Sequence, residues 1–71
     1  MTNIQAVLFE YDYWTTSSAN NWLKRHGLKP IKRVHTTKNY YRYRIQDPDK
    51  FDRLRIKKLP TIHVSLVLGF N

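Results

Sequence analysis

The chain contains no cysteine, only five acidic residues and only two glycines in 71 positions. Without thiols, disulfides and thiolate metal centres are excluded, and the redox state of its compartment leaves no trace in the sequence. Five carboxylates (Glu10, Asp12, Asp47, Asp49 and Asp52) leave little material for paired-carboxylate hydrolysis or a two-metal site. With Gly27 and Gly69 alone, there is no glycine-rich phosphate loop, dinucleotide fingerprint or nucleophile elbow. Long apolar runs are missing too. Nothing approaches the roughly 20 residues that span a bilayer, and the opening MTNIQAVLFE lacks the basic start and apolar stretch of a secretory signal. These absences lead us to expect an intracellular protein that is neither secreted nor membrane-bound.

What the chain has is positive charge, and that charge is segregated. All thirteen Lys and Arg residues fall between Lys24 and Lys58, where only Asp47, Asp49 and Asp52 oppose them, and the formal net charge is +8. Tyr40, Tyr41 and Tyr43 are interleaved with the cations. Clustered cations displace condensed counterions from a phosphate backbone, so the pattern points to a polyanionic partner, DNA or RNA. At 41% hydrophobic, with ten aromatic residues, the chain also has more to bury than a disordered basic tail would. One small folded domain of residues 1–71 is expected, close to the lower size limit for a self-sufficient core.

Residues 4–10 (IQAVLFE) form a short apolar run with β-branched and aromatic members, as in a strand buried on nearly both faces. The best-marked helix follows at about residues 17–26. Thr15 or Thr16 is its N-cap, Ala19, Trp22, Leu23 and His26 its apolar positions, and Gly27 its stop. With Thr15 as the cap, Trp14 and Ala19 occupy the two positions of a hydrophobic staple. Lys24, Arg25 and His26 suit the negative end of the helix dipole.

Residues 31–36 (IKRVHT) and 40–46 (YYRYRIQ) read as an antiparallel pair joined by Thr37, Lys38 and Asn39, with Asp47-Pro48-Asp49 as turn chemistry after them. Residues 50–59 fit neither period well and read as an irregular loop, with a short strand at most over 54–57. In residues 62–70, Ile62, Val64, Leu66, Leu68 and Phe70 fall on one face of a strand. The predicted class is α+β, in the order β-α-β-β-(β)-β, with one helix on one face of a mostly antiparallel four- or five-stranded sheet.

Alternation along 40–46 sends Tyr41, Tyr43 and Ile45 toward the helix and Tyr40, Arg42 and Arg44 to the opposite face. A ten-residue helix cannot cover both faces of such a sheet, so the second face is a candidate platform. Arginines grip phosphates in fork geometry, and an exposed tyrosine offers a ring to a base. Arg33 and His35 extend this group on the neighbouring strand. Arg53, Arg55, Lys57 and Lys58 form a second cluster, read as a basic arm, in which three of the four share a side if the segment is extended. The expected nucleic-acid contacts are therefore Arg33, Lys38, Tyr40, Arg42, Arg44, Arg53, Arg55, Lys57 and Lys58. The competing reading is a solvated face whose cations only deter edge pairing. His26, His35 and His63 lack metal spacing. The aspartate group lacks the glycine and terminal glutamate of a calcium loop, so no metal, cofactor or catalytic residue is expected.

The stretch AVLFEYDYWTTSSANNWLKRHGLKPIKRVHTTKNYYRYRIQDP together with the closing LVLGF resembles a small uncharacterised domain that recurs in large DNA viruses and tailed phages. The pieces that carry the likeness are Trp14-Thr15, Ala19 with Trp22-Leu23, His26-Gly27, Asn39-Tyr40, Arg42-Tyr43-Arg44 and Gly69-Phe70. They span nearly the whole chain. The resemblance implies a viral setting, in the infected cell or the virion, and assigns no site residue. Family members commonly carry a glycine-containing turn before the last strand, where this chain has Leu59-Pro60-Thr61. The leading expectation is a non-catalytic nucleic-acid-binding protein of low sequence specificity. The alternative is a structural or adaptor module that docks on a viral or host protein or on a second copy of itself.

Overall fold

The computed structural model describes residues 3–71. Strand β1 (Asn3–Glu10) is followed by helix α1 (Thr16–Arg25), β2 (His35–Thr36), β3 (Tyr40–Arg44), a 3-10 turn (Pro48–Lys50), β4 (Arg53–Leu59) and β5 (Val64–Phe70). The strands form one five-stranded sheet in the order β2-β3-β1-β5-β4, and every neighbouring pair is antiparallel. This is the expected α+β architecture with five strands. Among the described residues, no helix is long and apolar enough to cross a membrane.

Helix α1 begins and ends where its local chemistry directs. The Ser18 amide donates to Thr15 Oγ1 (3.1 Å) and the Thr15 amide donates to Ser18 Oγ (3.0 Å), a reciprocal capping box in which serine takes the place of the usual Glu or Gln. At the other end Gly27 adopts φ +68°, the left-handed conformation that glycine accepts without steric cost. Its amide bonds the Lys24 carbonyl oxygen (3.1 Å), and the Leu28 amide bonds that of Leu23 (2.9 Å). This is a Schellman closure, and Leu23 and Leu28 both join the core. His26 stacks on Trp22 with ring centroids 3.9 Å apart, as its position at the helix end predicts.

The core lies between α1 and the sheet. Val7, Phe9, Ala19, Leu23, Tyr43 and Val64 are buried there, flanked by Trp14, Trp22, Leu28, Val34, Tyr41, Ile45, Leu59 and Leu66. Phe9 meets Trp14, Trp22 and Tyr43 edge-on, at centroid separations of 4.9, 5.7 and 5.5 Å. Strand β1 is buried on nearly both faces, as its apolar run predicts, and a register shift occurs between Ile4 and Ala6. At that bulge the amides of Ile45 and Gln46 both reach the Gln5 carbonyl oxygen (2.8 and 3.0 Å). Gln5 Nε2 in turn donates to the Gln46 carbonyl oxygen (2.8 Å).

Three segments differ from expectation. Residues 31–34 are not strand, and only His35 and Thr36 pair in register with β3, although the Ile31 amide still donates to the Arg44 carbonyl oxygen (2.8 Å). Pro30 has no amide to donate, and Leu28 and Val34 are held against the core, which draws the chain off the ladder. Residues 53–59, expected as an irregular loop with at most a short strand over 54–57, form a full seven-residue strand paired along its length with β5. Because β4 lies at the sheet edge, almost every one of its residues is exposed, and the hydrophobic alternation that marks a strand is absent. Finally, Ile62 and His63 belong to the β4–β5 turn rather than to β5. His63 sits at φ 56°, where a glycine would be at ease. It is held there by its ring stacking on Tyr13 (3.6 Å between centroids) and by Nδ1 lying 3.3 Å from Glu10 Oε2.

Two predictions follow from this packing. A Cβ at Gly69 would overlap the ring of Phe51, so Gly69→Ala should lower unfolding free energy by about 1–3 kcal/mol in a urea titration. Burial, and secondarily the neighbouring Tyr41, raises the Tyr43 phenol above its ordinary pKa of 10.0. Stability linked to that proton is intact below pH 10.0 and lost as pH rises through the raised value. The fall in melting temperature on alkaline titration should therefore be shallower in Tyr43→Phe than in the parent.

Candidate nucleic-acid interface

Strand register assigns each cation to a face. On the face opposite α1, one row crosses all five strands through His35, Arg42, Leu8, Ser65 and Lys58. The next row runs through Arg44, Ala6, Val67 and Ile56, and Tyr40 stands opposite Glu10 at the end of β1. The expected division of β3 therefore holds. Tyr41, Tyr43 and the following Ile45 pack with the core, while Tyr40, Arg42 and Arg44 occupy the open face.

At the β2–β3 end of this open face is a cleft of about 230 Å³ lined by Lys32, Arg33, His35, Thr37, Arg42 and Arg44. Four of those six side chains are permanent cations and none is a carboxylate. The walls come from two pieces of chain. The irregular segment after Pro30 brings Lys32 and Arg33, and the β2–β3 hairpin brings the rest. The hairpin is fixed by bonds of its own. The Thr37 amide donates to the Tyr40 carbonyl oxygen (2.8 Å), and the Tyr40 amide donates to Thr37 Oγ1 (3.1 Å). The tip is tied to the end of β1 where the Tyr11 hydroxyl donates to the Lys38 carbonyl oxygen (2.6 Å). That bond uses the Lys38 main chain, so the ammonium is not engaged by it.

Among the described residues, the one carboxylate within 4.0 Å of a basic side chain is Glu10, beside His63. The aspartates thus neutralise none of the lysines or arginines by contact. Arg42 goes further, since its Nε is buried without a hydrogen-bond partner. A buried, unsatisfied donor of this kind costs about 1–3 kcal/mol. Gln5 Oε1, at the β1 bulge, is a second buried side-chain atom without a partner among the described residues.

The nine residues expected from sequence do not form one surface. Arg33, Arg42 and Arg44 come together in the cleft, Tyr40 adjoins it, and Lys38 stands at the hairpin tip. Lys58 shares the Arg42 row but lies three strand spacings away, about 14 Å. Arg53, Arg55 and Lys57 take the other face, in register with Phe70, Leu68 and Leu66, at the sheet edge farthest from the cleft. Three of the four cations in that segment do share a side, but they belong to an edge strand rather than to an arm. Lys32 was missed by sequence reasoning. As a lysine inside an assumed regular strand it carried no distinguishing signal; in the irregular segment it stays exposed and lines the cleft. No group of three or more His, Asp or Glu side chains suited to a metal occurs among the described residues.

Comparison with family models, with curated proteins and with solved structures finds no match to this chain.

Because the Arg42 Nε has no partner, replacing the side chain by an apolar one of similar length should not weaken the fold. Arg42→Met is expected to leave unfolding free energy unchanged or to raise it by up to about 1 kcal/mol in urea denaturation.

Proposed function

We propose that this chain is a non-catalytic nucleic-acid-binding protein that grips phosphate groups through the cleft on the open face of its sheet. The observation that carries the reading is the cleft itself, with four permanent cations and no carboxylate in its walls. Lys32, Arg33, Arg42 and Arg44 supply the charge. Arginine forks suit the tetrahedral oxygens of phosphate, and Tyr40 beside the cleft offers a ring to a base or sugar. Contacts of this kind recognise the backbone, so little sequence preference is expected. The resemblance to a domain of large DNA viruses and tailed phages favours a genome, transcript or virion as the setting.

A second reading rests on a different observation. Strand β4 leaves one edge of the sheet unpaired, with Leu54 and Ile56 exposed (42% and 63%) on the open face and Arg53, Arg55 and Lys57 on the other. An edge of this composition suits an adaptor role, in which an extended, acidic segment of a partner protein adds a strand. Pairing with β4 buries Val67 and leaves Phe70 half-buried.

A binding series on oligonucleotides with rising salt separates the readings. Affinity for the parent should fall steeply with salt, and Arg42→Met with Arg44→Met should make the log–log slope shallower by about 1 to 2 units. The double variant should weaken binding by more than about 10-fold, and Lys24→Ala with Arg25→Ala by less than about 3-fold. Loss of binding only on replacing Arg53, Arg55 and Lys57 would move the interface to β4. Binding indifferent to salt would refute the proposal.

A further inference from the structure

Basic surfaces that follow a nucleic-acid strand are tracks, with cations repeated along the path of the backbone. The open face of this sheet is not a track. Beyond the cleft, the neighbouring positions on β1 and β5 are Leu8, Ala6, Ser65 and Val67, and the next cation is Lys58 on the far edge strand. Toward the Tyr40 end, the strand-opposed residue is the carboxylate Glu10, and the one cation there is Lys38 at the hairpin tip. A continuous backbone laid across the cleft would leave its cations for an apolar floor on one side and meet a negative charge on the other. The remaining basic row, Arg53, Arg55 and Lys57, is on the opposite face and cannot continue the path.

The cleft is also overcharged for an internal phosphate. A phosphodiester brings one negative charge to four cations held around about 230 Å³. A terminal phosphate monoester brings about −1.5 to −2 at neutral pH, and three acceptor oxygens. That is a closer match to two arginine forks, a third guanidinium and an ammonium. Thr37 does not compete, because its hydroxyl is engaged with the Tyr40 main chain. The buried Nε of Arg42 is a donor that no protein group satisfies.

We infer that the cleft accepts a terminal phosphate group, so that the protein binds phosphorylated nucleic-acid ends in preference to continuous strands. This rests on the nucleic-acid reading above and narrows it to one chemical group. Lys32, Arg33, Arg42 and Arg44 hold the phosphate, and Tyr40, on the same face two residues from Arg42 along β3, meets the terminal nucleotide.

The test uses single-stranded oligonucleotides of one sequence, in DNA and RNA form, that differ only in carrying phosphate or hydroxyl at the 5′ or the 3′ end. Binding is read by anisotropy of a label at the opposite end. One of the phosphorylated ends should bind about 10-fold or more tightly than its hydroxyl counterpart, and Arg42→Met with Arg44→Met should abolish the difference while melting as a folded protein. Equal, salt-sensitive affinity for phosphorylated and hydroxyl ends would overturn end recognition and leave general nucleic-acid binding standing. No binding of any oligonucleotide would overturn both. Inorganic pyrophosphate bound as tightly as the phosphorylated oligonucleotide would reassign the cleft to a small free anion and overturn the inference.

Discussion

Phe9 sits at the centre of β1 with its ring sealed from solvent and three other aromatic rings edge-on around it. Trp14 comes from the entry to α1, Trp22 from its exposed-to-buried boundary and Tyr43 from β3, so one side chain ties the helix to the central strands. Edge-to-face contacts of this kind add about 0.5–1.5 kcal/mol per pair beyond area burial, which is substantial for a 71-residue chain. Trp14 extends the tie, since its indole Nε1 donates to the Ile62 carbonyl oxygen (2.8 Å) in the β4–β5 turn. The geometry of everything else follows. A single ten-residue helix fixed over β1, β3 and β5 consumes the apolar residues of one face and leaves the other without a helix over it, covered only in part, with Ala6, Ser65 and Val67 buried there and Phe51 lying against Gly69.

That division explains how the charge is arranged. On the helix side, Val7, Phe9, Tyr43 and Val64 occupy the footprint of α1, and cations appear only beyond it, on β4. On the open side, the cations other than Lys58 are gathered at the other edge, where the segment after Pro30 and the β2–β3 hairpin line one cleft. Placing four like charges around one cleft with no carboxylate nearby raises the energy of the unliganded protein. Burying the Arg42 Nε without a partner raises it further. The core, the capping box and the Schellman closure must offset that cost. A phosphate would relieve both terms at once.

The sequence made the helix legible almost to the residue, because its signals are local. Thr15, Trp14 with Ala19, and Gly27 each act within one turn of the chain. β1, β3 and β5 were legible because each has a face, or two, inside the core. β4 was not, since Leu54 and Ile56 lie on an uncovered face and Arg53, Arg55 and Lys57 lie outside the helix footprint, leaving no burial to impose a period. Residues 31–34 looked like strand from their β-branched content, but the anchoring of Leu28 and Val34 in the core is a long-range effect that overrides propensity. His63 at positive φ gave no warning either, because the stabilising partners Tyr13 and Glu10 are fifty residues or so away in sequence. For the candidate site, the β3 alternation placed Tyr40, Arg42 and Arg44 correctly. Whether the two basic clusters share a surface was not legible, because it depends on strand order, which is set by pairings such as Ile56 with Val67 and Arg44 with Ala6 that no local signal records.

The central claim is that phosphate is held in the cleft between the segment after Pro30 and the β2–β3 hairpin. Its most direct test is a heteronuclear NMR titration of the intact protein with an oligonucleotide, following backbone amides and arginine Nε–H groups. The account predicts that the perturbations concentrate at residues 32–44, with the Arg42 Nε–H among the most shifted, while α1 and the residues of β4 from Arg53 to Lys57 stay near their free positions. Perturbations centred on α1 or on β4, with the Arg42 Nε–H unmoved, would contradict it.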